Sequence, residues 1–105
     1  MIDLRSDTVT KPTTAMLQAM FAAEVGDDVF GEDATINTLE QKVAALFNHE
    51  AALFCASGTM ANQIAVKTHT KPMDEIILDK TAHIYYYETA GYAANSGVSV
   101  KLIDG

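Results

Sequence analysis

The run Ala56-Ser57-Gly58-Thr59-Met60-Ala61-Asn62 sets two hydroxyls and a glycine between an apolar stretch at 51–55 and a helix-compatible segment ending near Thr68. A strand, a tight turn and a helix start in that order make an anion site. The first helical N–H groups have no intrahelical partner, and the helix dipole puts partial positive charge where they point. Gly58 lets the backbone approach a phosphate closely, and the Ser57 and Thr59 hydroxyls can donate to its oxygens. A Ser-capped helix after a buried strand would use the same residues without any ligand.

His83 follows a second apolar run, 75–78, and so belongs to the same edge as Gly58 and Thr59. Its flat ring suits stacking on a flat cofactor ring, whereas a loop histidine satisfied by backbone groups is the plainer reading. Glu88, five residues on, is placed to orient His83 or a neighbouring subunit's loop, or to sit solvated on a helix. The run Tyr85-Tyr86-Tyr87 is too dense for one helical stripe, so at least one ring is expected at an interface or a pocket. Asp27, Asp28, Glu32 and Asp33 fit no EF-hand spacing and read as a solvated acidic loop, so no metal site is expected. Ser6 and Thr8 lie in a polar arm that by itself reads as a frayed terminus. Cys55, the single cysteine, sits in the apolar stretch and reads as a buried, inert thiol.

The elements that must position these residues can be read from periodicity and punctuation. Residues 1–10 form an extended arm, and Pro12 opens a helix with Thr10 or Lys11 before it. Ala15, Met16, Ala19, Met20 and Ala23 recur at helical spacing until Gly26 stops them. Thr35 or Asp33 caps the next helix, whose stripe of Ile36, Leu39, Val43, Leu46 and Phe47 is expected to face a core. A strand at 51–55, a helix at 59–68, a turn at 71–74 and a buried strand at 75–78 follow. A helix from about Ile84 to Ala94 then leads to Gly97 and a last strand at 98–103. Strands with unbroken apolar runs separated by helices indicate right-handed parallel βαβ units. Open sheets of that kind bind ligands beyond the carboxyl ends of their strands.

Composition narrows the field. The 105 residues are 49% apolar and 20% charged, an ordinary globular balance. A net charge of −7, from 14 acidic and 7 basic residues, offers no basic patch for nucleic acid or an anionic membrane. No apolar run reaches the roughly 20 residues of a membrane helix, and the polar start lacks a secretory core. One cysteine suits a cytoplasmic protein.

Four blocks occur in a telling order: the opening Met1-Ile2-Asp3-Leu4-Arg5-Ser6-Asp7-Thr8-Val9-Thr10-Lys11-Pro12, then Val25-Gly26-Asp27-Asp28-Val29-Phe30-Gly31-Glu32-Asp33, the Ser-Gly-Thr turn, and Ala82-His83 with Tyr87-Glu88. Together they resemble the low-specificity threonine aldolases, across essentially the whole chain. The resemblance implies an α/β fold, the N-terminal part of the aspartate-aminotransferase-like large domain of fold type I enzymes, with a parallel-rich sheet flanked by helices. It implies pyridoxal 5′-phosphate (PLP) as cofactor, held by Ser57, Gly58, Thr59 and His83. His83 would also be a catalytic acid/base, and Ser6 and Glu88 would bind the substrate. The activity implied is cleavage of threonine or allo-threonine to glycine and acetaldehyde, in a cytoplasmic homodimer or homotetramer. Family members often carry tyrosine where this chain has Phe30. In the family the pyridinium-binding aspartate and the lysine that carries the cofactor lie well downstream. Lys11, Lys42, Lys67, Lys71, Lys80 and Lys101 match neither position.

The expectation is therefore a single incomplete domain over 1–105, with an arm and helices at 1–50 leading into the start of the PLP-binding domain at 51–105, and inactive alone. Another fold type I enzyme, a β-eliminating lyase or an aminotransferase, is the near alternative. A non-catalytic truncated chain that only binds phosphate or a partner subunit is the distant one.

Overall fold

A computed structural model describes residues 2–105, with Asp7 described for its backbone alone. The chain divides into two compact units, residues 1–54 and 55–105.

In the first unit the arm carries a 3₁₀ turn, Asp7–Val9, in place of a wholly extended run. Ser6 Oγ lies 2.8 Å from Thr8 Oγ1 and accepts the Thr8 N–H at 3.2 Å, so a serine hydroxyl substitutes for a backbone acceptor and curls the chain. Helix α1 spans Thr14–Ala22 and is capped by Thr13, whose hydroxyl accepts the Met16 N–H at 3.2 Å. The expected start at Pro12 is thus displaced: a side-chain acceptor at Thr13 outweighs the ring that merely tolerates a first turn. The helix also ends before Gly26. That glycine has another task, because a Cβ there would lie 2.7 Å from the Glu32 carbonyl carbon.

Helix α2, Ala34–Leu46, is capped by Asp33. Asp33 is buried, in contrast to the solvated loop expected of these acids. One of its oxygens accepts the Ile36 N–H at 2.8 Å and the other the Gly26 N–H at 3.0 Å, which ties the loop to the helix start. These N–H groups hold the Asp33 carboxyl below its usual range, with Ile36 the largest cause. Asp27 caps a second 3₁₀ turn, Asp28–Phe30, in the same way. The apolar stripe of α2 does not close over a core: Leu46 is 77% and Phe47 66% exposed, and Ala44 is the buried apolar residue of the helix.

Residues 51–55 do not join the sheet, which among the described residues has two strands. An apolar run becomes a strand only when a neighbour supplies a ladder, and the two available strands pair with each other. Cys55 is half-buried.

The second unit begins with α3, Gly58–His69, capped by Ser57. A turn closed by the Asp74 N–H on the Lys71 carbonyl leads to β1, Glu75–Asp79. The expected single helix is two: α4, His83–Tyr86, and α5, Gly91–Ser96. Thr89 and Ala90 between them are left-handed, at φ 49° and 54°. β2, Ser99–Ile103, pairs parallel to β1 in the register Glu75↔Ser99 through Asp79↔Ile103. Of the βαβ units expected from the sequence, the one from β1 to β2 is present and the one starting at 51–55 is not; α3 packs against α5. Ile77 at 63% exposure shows that the sheet is covered on one face only, where burial on both was expected.

Candidate functional site

Two local constructions in the second unit position the chemistry. The first is the start of α3. Ser57 has extended torsions, φ −153° and ψ 157°, and its Oγ accepts the Met60 N–H at 3.1 Å. That cap satisfies one terminal donor and leaves those of the first turn before it directed outward. A Cβ added to Gly58 would meet no atom within 4 Å, so the space above this turn is open and no packing within the chain demands the glycine. Thr59 is exposed in the first turn. From Ser57 and Thr59 an open groove of about 590 Å³ runs along α3 past Met60, Gln63 and Lys67.

The second construction is the turn after β1. Asp79 Oδ1 accepts the Thr81 N–H at 2.7 Å and the Thr81 hydroxyl, and Oδ2 accepts the Gly105 N–H at 2.9 Å. These donors hold its carboxyl below the usual range, the Thr81 hydroxyl most strongly. The turn delivers His83 as the first residue of α4, just beyond the carboxyl end of β1.

A buried carboxylate joins the two constructions. Glu88 is 3% exposed and its side chain is fully covered. Its Oε1 lies 3.0 Å from His83 Nδ1 and accepts from Asn62 Nδ2 at 2.7 Å; its Oε2 accepts from Gln63 Nε2 at 2.7 Å. Burial, the largest single influence, would raise the Glu88 pKa. The hydrogen bonds from Asn62, Gln63 and His83 together outweigh it and hold the carboxyl below its usual range. His83 itself is open, with a side chain 64% exposed. Tyr87 lies beside its ring, centroids 5.2 Å apart and planes tilted by 40°. Tyr85 stacks on Tyr92 at 6.4 Å and 15°, while Tyr86 and Tyr87 are 61% and 73% exposed.

The structure thus ties His83 to the helix whose first turn carries Ser57, Gly58 and Thr59, with Glu88 and Asn62 as the link. Glu88 presents no carboxylate oxygen outward, which removes the solvated-helix reading. Ser6 lies in the first unit and forms the turn with Thr8 described above. Asn62 and Gln63 carried no signal that singled them out. The nearest one is a glutamate that must be buried and therefore needs donors on a facing helix.

The fold is α/β, a small parallel sheet flanked by helices, with a hydroxyl-bearing helix start and a carboxylate-held histidine at one end. The chain belongs to the beta-eliminating lyase family, whose family model matches residues 3–105. It is 48% identical over 104 residues to the low specificity L-threonine aldolase of Escherichia coli strain K12, covering 99% of this chain and 31% of that protein. The low specificity L-threonine aldolase of Saccharomyces cerevisiae is 50% identical over 99 residues, 93% of this chain and 26% of the yeast protein. Low-specificity L-threonine aldolase 1 of Arabidopsis thaliana is 48% identical over 103 residues, 97% of this chain and 29% of that protein. The chain spans about a third or less of the length of these relatives.

Proposed function

We propose that these residues are the N-terminal portion of a PLP-dependent aldehyde-lyase of the threonine-aldolase type, built on the fold type I large domain. In this reading 1–105 is a single incomplete domain, with the arm and helices at 1–50 preceding the start of the PLP-binding domain at 51–105. The carrying observation is the pairing of an exposed histidine with a buried carboxylate beside an open, hydroxyl-lined helix start. The identity of about half to proteins named threonine aldolases supports it.

The donor set fits a phosphate. The outward N–H groups of the first turn, the hydroxyls of Ser57 and Thr59 and the space that a Cβ on Gly58 would fill suit a tetrahedral dianion. When bound, PLP supplies an electron sink for the carbanion left when the bond between the α- and β-carbons of the amino acid breaks. His83 would supply a flat ring for the cofactor to stack on and a group able to exchange a proton with the substrate β-hydroxyl. Glu88 holds the His83 ring through Nδ1, a positioning role that stands beside the substrate-binding role the resemblance gives it. Ser6, from the arm, contacts the substrate carboxylate. A cytoplasmic homodimer or homotetramer belongs to the same reading, since fold type I sites form between subunits.

Aldehyde release from threonine and allo-threonine by the full-length protein, with and without PLP, tests the proposal. Glycine and acetaldehyde in equal amounts are expected with the cofactor. Formation of 2-oxobutyrate with ammonia, or of 3-hydroxy-2-oxobutyrate, in their place would assign the chain to an eliminating or a transaminating reaction.

A further inference from the structure

We propose that Gln63 is a positioning residue for His83: with Asn62 it fixes Glu88 as a pure acceptor, so that His83 carries its proton on Nδ1 and meets the substrate with Nε2. The inference rests on the reading of His83 as the acid/base group.

The hydrogen-bond inventory carries the first step. A carboxylic acid needs a place for its proton, and both Glu88 oxygens already face N–H donors. Oε1 takes Asn62 Nδ2 and Oε2 takes Gln63 Nε2, each at 2.7 Å. Carboxamide nitrogens only donate. Gln63 also reaches outward, its Oε1 accepting from Asn95 Nδ2 at 3.3 Å while its nitrogen faces Glu88. N–H···O interactions of this kind suit the ionised carboxylate, which has no proton to give, so the 3.0 Å contact to Nδ1 requires the proton to lie on the ring nitrogen. Nε2, on the other edge of a ring that is 64% exposed, has no hydrogen-bond partner among the described residues and keeps its lone pair.

The backbone around this network is shaped for it. Immediately after Glu88 the chain passes through two left-handed residues, Thr89 and Ala90, neither of them glycine. That conformation is unfavourable for residues with a Cβ, and here it turns Glu88 inward and starts α5 at once, with the Gly91 N–H on the Glu88 carbonyl at 2.9 Å. Gly91 then leaves room for the amide: a Cβ there would stand 2.7 Å from both Cδ and Oε1 of Gln63. The obstructed atoms are the movable end of a side chain, so a methyl group at position 91 would displace Gln63 and leave the backbone in place. Three separate features, an amide pair, a left-handed step and a glycine, converge on one carboxylate and through it on one imidazole nitrogen.

The test is made on the full-length protein with ¹⁵N-labelled histidine, reading the His83 tautomer from long-range ¹H–¹⁵N correlations in the absence of cofactor. The wild type should show the Nδ1–H form. Gln63→Met, which keeps length and removes the donor, and Gly91→Ala, which pushes the intact amide aside, should both move His83 toward a mixture with the Nε2–H form. With PLP both variants should lose on the order of tenfold in kcat with a smaller change in KM, part of the contribution of a positioned general acid/base. Gln63→Glu should not restore the wild-type tautomer, since it adds a second acidic group beside Glu88. An unchanged tautomer in a folded Gly91→Ala or Gln63→Met protein overturns the proposal. Full turnover by His83→Ala would instead overturn the reading on which it rests and leave the tautomer result standing.

Discussion

His83 Nδ1 and Glu88 Oε1 lie 3.0 Å apart, yet the histidine side chain is 64% exposed and the glutamate side chain fully covered. A contact that pairs an open ring with a closed carboxylate orients the ring and leaves its far edge accessible. The arrangement separates two possible contributions of His83, its flat surface and its proton. Replacement by Phe retains the surface and removes the proton; replacement by Ala removes both. In the full-length protein His83→Phe should keep cofactor affinity and a residue of turnover, whereas His83→Ala should lose both more severely. Cofactor titration alongside aldehyde release checks this, and an Ala variant as active as the wild type would remove His83 from the site.

The Glu88 carboxyl is held below its usual range, which makes stability depend on pH. A group whose pKa is depressed on folding stabilises the protein fully above its unfolded value of about 4.3, and the stabilisation is lost as pH falls through the lower folded value. Glu88→Gln should therefore flatten the acid limb of a denaturant-midpoint profile below about pH 5 while lowering the midpoint at neutral pH. An acid limb as steep as that of the wild type would show that Asp33 and Asp79, whose carboxyls are also held low, account for it.

Much of this architecture is legible where local chemistry decides it. Ser57 before a glycine and a helical repeat gives α3, and Glu75-Ile76-Ile77-Leu78 before the Asp79 turn gives β1, because cap, period and stop lie within a few residues. The split between α4 and α5 is not legible, since the left-handed Thr89 and Ala90 answer to the burial of Glu88 against Asn62 and Gln63, some 25 residues earlier. For the same reason the partners of Glu88 could not be named, while His83 could. The run at 51–55 has the composition of a strand, but composition cannot supply a neighbouring ladder. The sequence offers Asp33 as one of two candidate caps for α2. Its second bond, to Gly26, depends on a loop closure that no periodicity encodes.

Gly26 offers a sharp stability test. Its missing side chain admits the Glu32 backbone, with the Asp33 nitrogen 3.1 Å from where a Cβ would stand. Backbone cannot swing away as the end of a side chain can, so Gly26→Ala should cost about 1–3 kcal/mol. Gly58→Ala, where a Cβ meets nothing, should leave stability nearly unchanged while weakening the cofactor. Thermal unfolding of both variants without PLP checks the contrast, and equal losses would contradict it.

Thr59→Val keeps the shape of the first turn of α3 and deletes one hydroxyl. A hydrogen bond to a charged group contributes roughly 1.5–3 kcal/mol, so PLP affinity should fall on the order of tenfold or more. Equilibrium binding of the cofactor reads this directly, and unchanged affinity would take Thr59 out of the phosphate site.

The last prediction concerns where the cofactor is covalently held. A lysine that carries PLP needs its amine free and poised beside the cofactor aldehyde. Lys67 Nζ donates to the Asn95 carbonyl at 2.7 Å, an engagement within the groove wall. Lys80 lies closest in sequence to His83, but its amine pairs with Asp104 and its side chain is 62% exposed, the setting of a solvated ammonium. Borohydride reduction of the full-length protein with PLP, followed by peptide mapping, should therefore place a single stoichiometric label on a lysine outside residues 1–105. Replacing Lys80 with Arg should leave that label and threonine cleavage intact, since Arg keeps the pairing with Asp104. A stoichiometric label on Lys80 would move the catalytic lysine to the turn after β1, and the division of labour argued for His83 and Glu88 would have to be rebuilt around it.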